Sequence, residues 1–348
     1  MGKLYLDNGY PNIDYIWDSA SNFVTVTSSR GTGKTYGVAK RAVEIACNGG
    51  GKFVWLRRWG TQILKARTPV GNPFARLNKD MGWNVQAFSL SADMVAFYEA
   101  AQNKRGKIAP DGALLGVGTS LSALANVRGM DFSGFDTIVF DEYIPLTTER
   151  TLTNEFTAFL DFYETVNRNR ELQGLAPVKA LLLGNANQLA NPYYIGWDFM
   201  STAIKMIRGK QMIYRTPDGS RAMIILQDSP ISRRKMQTGL YKNAPQDFIE
   251  MAINNAFYVD PTRVTSRPLI EFDYLCTIGA IGMYRHKSRR EFYICRAAQK
   301  TRAYDPQGFG LEQWRKRYGL MKTLYFENYL TFDSYDTELI FRGYLGMI

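Results

Sequence analysis

The residues with the most chemical promise form one run of eight, Ser28-Ser29-Arg30-Gly31-Thr32-Gly33-Lys34-Thr35, between an apolar stretch and a helix-like one. It meets the pattern G-x-x-x-x-G-K-[ST] at every fixed position but the first, and that pattern wraps backbone N–H groups around phosphate oxygens. Gly31 and Gly33 let the chain turn its amides inward, and a helix beginning near Gly33 points its positive dipole end at the same charge. Lys34 is placed to reach the outer phosphates and Thr35 to hold Mg²⁺ through its hydroxyl. The expected binding run therefore extends from Ser28 through Tyr36. Serine in place of glycine at 28 is small enough for a tight turn unless φ must be positive there.

A second constellation follows about a hundred residues later. "TIVFDE" ends in two adjacent carboxylates, Asp141 and Glu142. Neighbouring strand side chains point to opposite faces, but at a strand's end both can approach one ligand. Asp141 is expected to position Mg²⁺ and its waters, and Glu142 to orient and deprotonate an attacking water. That division suits phosphoryl transfer, which needs charge neutralisation and a placed nucleophile more than covalent help. A strand ending in acidic turn residues is common, so this motif gains its weight from the loop before it. "LLLGNAN" ends another apolar run at Asn185, whose amide is either a turn residue or a sensor of the terminal phosphate and its water. "ETVNRNRE" brings Arg168 and Arg170 to a helix C-terminus, where they complement the dipole or reach a neighbouring subunit's nucleotide as an arginine finger.

These residues need a parallel sheet to hold them. "FVTVT" (23–27), "FVWLRR" (53–58), "DTIVFDE" (136–142) and "VKALLLGNA" (178–186) are apolar almost throughout, as strands covered on both faces are. They alternate with helix-like stretches, the pattern of an α/β domain. "MVAFYEA" and "ALLGVGTSL" flank a polar turn and predict a hairpin. Phe156, Phe159, Leu160 and Tyr163 stand at helical spacing and predict an amphipathic helix on the sheet. From Ser229 to Phe257 the chain turns helical and basic. Beyond it "YLCTIGAIGMYR" and "REFYICRA" flank the turn "HKSR" and predict a second hairpin.

Length and composition agree with this division. A chain of 348 residues, 45% hydrophobic and 14% aromatic, can bury more than one core. We expect an ATPase-type domain over 1–227, a helical linker over 228–257 and a C-terminal α+β domain over 258–348. Neither a spanning helix nor a signal peptide is expected. Three cysteines without a C-x-x-C pair and a single histidine argue against disulfides and structural zinc. The net charge of +11 suggests a polyanionic partner, and Ser201–Ala303 holds 18 Lys+Arg against 8 Asp+Glu.

"SSRGTGKTYG", "FVWLRRW", "VFDEYIP", "ETVNRNRE" and "LLLGNANQLANPYY", in this order and spacing, resemble the DNA-packaging ATPases of small tailed phages, the phi29-like group. The resemblance covers the N-terminal two-thirds and is faint beyond it. It implies an additional-strand (ASCE) P-loop NTPase that hydrolyses ATP with Mg²⁺. Such a protein assembles as a ring, usually pentameric, on the portal or connector of a procapsid in the host cytoplasm, sometimes with a structural packaging RNA, and drives double-stranded DNA inward. By this resemblance Lys34 and Thr35 match the Walker A pair, Asp141 and Glu142 the Walker B pair, and Arg168 the finger acting in trans. Arg128 matches a basic position implicated in contact with a neighbour's site, and Arg30 the arginine of the family's loop. That loop begins with glycine where this chain has Ser28.

The C-terminal region of such motors resembles an RNase H fold, a nuclease in large terminases, which needs clustered carboxylates for two metal ions. Here Arg285, Lys287, Arg289 and Arg290 occupy the neighbourhood of that cluster, so a vestigial, non-cleaving domain that grips nucleic acid is expected; a merely solubilising basic hairpin is the plainer reading. The other functions weighed are a different ASCE ring ATPase, such as a helicase or plasmid-transfer ATPase, and an ATP-gated DNA-binding assembly factor. Tyr15 and Trp17 are candidates for contact with adenine on position alone.

Overall fold

The computed structural model describes residues 4–347 except 147, 148, 150, 153, 188, 190, 228, 236, 244–262 and 328. The chain divides into two compact units, Met1–Tyr258 and Val259–Ile348. Of the linker expected at 228–257, the stretch 244–257 lies outside the described residues.

The first unit is built on a nine-stranded sheet. Its strands are β1 (Phe23–Ser28), β2 (Lys52–Arg57), β3 (Val85–Ser89), β4 (Val95–Gln102), β5 (Ile108–Ser120), β6 (Phe135–Asp141), β7 (Lys179–Asn185), β8 (Ile213–Arg215) and β9 (Arg221–Leu226). They lie in the order β3-β4-β5-β2-β6-β7-β1-β9-β8. The central six, β5 to β9 in that order, run parallel, while β3, β4 and β8 join antiparallel at the edges. The apolar runs become the central strands because both faces are covered: Val24, Val26, Ile138, Val139, Leu181 and Leu183 are at most 1% exposed. The "MVAFYEA" and "ALLGVGTSL" runs form the expected antiparallel pair, β4 with β5.

Parallel strands end on one edge, and ligands of open α/β sheets bind there. Ser28 is registered opposite Asn185, and Asp141 opposite Leu183. β7 stands between β1 and β6, so the strand before the glycine loop and the strand bearing the acids are separated by one neighbour.

Helix α1 (Lys34–Cys47) leaves the loop after β1 and buries Val38, Ala39, Ala42 and Val43 at helical spacing. Helix α2 (Glu155–Asn167) connects β6 to β7 and buries Phe159, Phe162 and Val166, with Phe159 stacked on Phe140 of β6 at 6.0 Å. The expected stripe is off by part of a turn: Leu160 is 37% exposed. The positions i, i+3 and i+7 from Phe159 carry the face on the sheet, and Leu160 is rotated out of it.

The second unit holds β10 (Phe272–Ile278), β11 (Ile281–His286), β12 (Phe292–Cys295), β13 (Ala303–Tyr304) and β14 (Leu330–Phe332), in the order β13-β10-β11-β12-β14. The run expected as one long hairpin arm is itself a hairpin. Ile278 pairs with Ile281 across the two-residue turn Gly279-Ala280, and Gly279 supplies the positive φ, 53°, that such turns require. A second core of Cys276, Ile278, Ile281, Met283, Ile294, Trp314, Phe332 and Phe341 joins this sheet to its helices. Among the described residues no helix is long and apolar enough to cross a membrane.

Candidate active site

The loop begins at the end of β1, and its geometry explains why serine is tolerated at 28. Left-handed backbone falls at Gly31 (φ 67°) and Gly33 (φ 89°), not at Ser28, which is still in extended strand. Serine therefore carries no backbone penalty, and its hydroxyl is used. It donates to the Ser29 carbonyl at 2.9 Å and meets the Thr32 hydroxyl at 2.7 Å, closing the loop on itself. Gly33 caps α1 from the left-handed region, and a side chain there would strike the ring of Tyr10.

Lys34, the first residue of α1 and 6% exposed, donates to Asn185 Oδ1 at the end of β7 at 2.7 Å. Burial lowers its pKa to about 8, against the pull of Asp141 and Glu142 and helped by the nearby Lys235 and Arg30 cations. A bound polyphosphate would return the ammonium to the ordinary lysine range, so binding takes up a proton above pH 8. Nucleotide affinity is therefore expected to be level below about pH 8 and to fall by up to about tenfold per unit above it. Titrations from about pH 7 to 9.5 check this, and a level profile throughout contradicts it.

Thr35 donates to Asp141 Oδ1 at 3.1 Å. Asp141 and Glu142 face one place because the chain turns between them: Glu142 sits at φ 62°, an uncommon conformation for a side-chain-bearing residue and one that clusters at functional sites. Both carboxylates are gripped by a single guanidinium. Arg57 reaches Asp141 Oδ2 at 2.7 Å and Glu142 Oε2 at 2.6 Å. Sequence reasoning missed Arg57; its signal was a cationic pair closing an otherwise apolar strand.

The other member of that pair, Arg58, is 1% exposed. It bonds Glu155 Oε2 at 2.8 Å, pairs with Glu149 at 3.3 Å and donates to the Tyr143 carbonyl at 2.7 Å. Glu155 also accepts from the Tyr193 hydroxyl at 3.0 Å. The Tyr143 and Tyr194 hydroxyls meet Thr27 Oγ1 at 2.8 and 2.9 Å. This buried network ties β2, α2 and β1 to the segment after β6, and so fixes the direction in which the chain carries Glu142.

Not every expected residue joins this group. The Tyr36 hydroxyl donates to Asp80 at 3.3 Å, and Trp17 is built into the core. Arg128 and Arg168 form a second group. Arg128 pairs with Asp161 at 3.4 Å, and Arg168, in left-handed backbone at the end of α2, donates to the Met130 carbonyl. With Gly129, Glu164 and Thr165 they line an open depression of about 290 Å³.

In the second unit the basic turn is less bare than expected. Arg289 bonds His286 Nε2 at 3.0 Å and lies 3.8 Å from both Glu271 and Glu291. Arg290 pairs with Glu327 at 3.4 Å and covers the ring of Tyr329. Lys287 donates to the Ile270 carbonyl at 2.8 Å, and Arg285 is registered opposite Asp273. Among the described residues no three His, Cys, Asp or Glu side chains group as a metal site.

The chain is 26% identical over 246 residues to the DNA packaging protein of Bacillus phage B103, covering 70% of this chain and 66% of that one. Against the DNA packaging protein of Bacillus phage phi29 it is 27% identical over 248 residues, covering 70% and 64%. These matches thus span slightly less than two-thirds of the relatives' length. The solved structure of the phi28 gp11 DNA packaging motor shares the fold with a TM-score of 0.61 at 18% identity, covering 98% of this chain and 99% of that one. The model of the podovirus DNA encapsidation protein (Gp16) family matches residues 9–297, and the chain belongs to that family.

Proposed function

We propose that this protein hydrolyses ATP to drive double-stranded DNA into a procapsid, acting as a ring of identical copies on the portal. The observation that carries this reading is the meeting of Lys34, Thr35, Asp141, Glu142 and Asn185 at one end of a parallel sheet. The phi29 and B103 relatives are DNA packaging proteins, which supports the choice of substrate.

In this reading the amides around Gly31 and Gly33 and the Lys34 ammonium hold the phosphates. The donor set fits Mg²⁺: one carboxylate, Asp141, hydrogen-bonded to one hydroxyl, Thr35, is the protein's usual share of such a site, phosphates and waters supplying the rest. The ion supplies charge neutralisation on the phosphates. Glu142 accepts the proton of the attacking water, and Asn185 couples Lys34 to the neighbouring strand. Arg57 must yield its ion pairs before the two acids can take up these tasks.

The placement of β7 between β1 and β6 supports the ASCE assignment. The depression lined by Arg128 and Arg168 is the surface we assign to a neighbouring copy, with Arg168 completing that neighbour's site. Five copies, a packaging RNA at the portal and a host-cytoplasmic setting belong to the same reading. So does the division into an ATPase domain over 1–227, a linker over 228–257 and a vestigial RNase H-like domain over 258–348. That last domain grips DNA without cutting it, through phosphates, because a motor must pass any sequence.

The test is steady-state hydrolysis with and without duplex DNA across a salt series. Turnover should rise with DNA, and the stimulation should fall steeply with salt as phosphate contacts are screened. Hydrolysis indifferent to duplex DNA would overturn the translocase reading.

A further inference from the structure

We propose that Lys235 is a second phosphate-binding ammonium of the nucleotide site, carried there by the segment that leads from the sheet toward the second unit. The inference rests on the nucleotide reading of the loop and adds a residue from outside its motif.

Helix α3 (Pro230–Lys235) starts just after β9 and lies against the loop. Ser232 Oγ meets Ser29 Oγ at 2.7 Å, and Lys235 Nζ donates to the Arg30 carbonyl. The approach is close: a Cβ on Gly31 would collide with the Lys235 ammonium, and one on Gly9 with the Pro230 ring. Among the described residues Lys235 forms no ion pair with an acid. Burial depresses its pKa.

An ammonium held beside the phosphate loop, whose bond among the described residues is to the neutral Arg30 carbonyl, has no negative partner there. A polyphosphate supplies one, and phosphate oxygens are stronger acceptors for an ammonium than a carbonyl is. On binding, Lys235 exchanges the Arg30 carbonyl for phosphate oxygens and draws α3 with it.

The test measures binding of a fluorescent ATP analogue to the full chain, with displacement by ATP, ADP and AMP. Lys235→Ala should weaken ATP and ADP by about tenfold and leave AMP unchanged, the loss of one charge-assisted hydrogen bond. Lys235→Arg should stay within about threefold, and Arg234→Ala, which removes an exposed charge from the same helix, should match wild type. Wild-type ATP affinity in Lys235→Ala, or an equal loss for AMP, overturns the proposal. Lys34→Ala separates the two levels. If it abolishes ATP binding while Lys235→Ala does not weaken it, only the role of Lys235 fails. If Lys34→Ala binds ATP like wild type, the nucleotide reading falls and takes this inference with it.

Discussion

Replacing Glu142 with glutamine is expected to cut ATP turnover by about 10²- to 10⁴-fold, the usual worth of a positioned general base, with ATP affinity within about threefold of wild type. The amide keeps the shape of the carboxylate and can still accept from Arg57, whose Nη1 lies 2.6 Å from Glu142 Oε2. It cannot take a proton. Asp141, Thr35 and Lys34 are untouched, so the binding half of the site survives. Phosphate release and nucleotide titration on the same preparation measure the two effects separately. Turnover within about tenfold of wild type would remove Glu142 from the proton transfer and leave it as a partner of Arg57 alone.

Arg168→Ala is expected to lower turnover by about 10³- to 10⁵-fold in the assembled ring, as loss of an arginine finger does, with little change in the isolated chain's nucleotide affinity. Within one chain Arg168 bonds the Met130 carbonyl and shares its depression with Arg128 and Asp161, not with the phosphate loop. In the proposed ring its effect therefore acts on another copy, not on its own phosphate loop. Mixing decides the matter. Glu142→Gln subunits retain the finger and lack the base, whereas Arg168→Ala subunits retain the base and lack the finger. Where the first kind sits beside the second in the right order, one complete site is rebuilt, and mixtures should regain part of the lost activity. If well-folded mixtures stay as inactive as either variant alone, Arg168 does not act in trans.

The parts of the site legible in the sequence are those whose chemistry is local. Ser28 to Thr35 is contiguous, and the positive φ values at Gly31 and Gly33 fall where glycine permits them. Asp141 and Glu142 could be read from the end of an apolar strand, and Asn185 likewise, because strand ends of a parallel sheet meet on one edge. Arg57 was not legible: its meaning comes from carboxylates 84 and 85 positions along the chain, which only the β2–β6 pairing brings near. The same holds for Arg58 with Glu155, and for Arg289 and Arg290, whose acidic partners arrive from other elements. Periodicity placed α2 correctly but not the rotation of its buried face, since Leu160 and Phe162 are equally apolar and only the sheet's position chooses between them. In the second unit the apolar run masked the Gly279-Ala280 turn, because the residues on either side of it belong to one core.

The outer boundaries of the large sheet bear on how copies can associate. One is β8, three residues long, and the other is β3, whose outward edge follows a polar-flecked strand of five. Short or polar margins of this kind give another chain little backbone to zip onto. In the proposed ring, neighbouring copies would then meet through side-chain contacts that can loosen and re-form, rather than by fusing their sheets into a fibre.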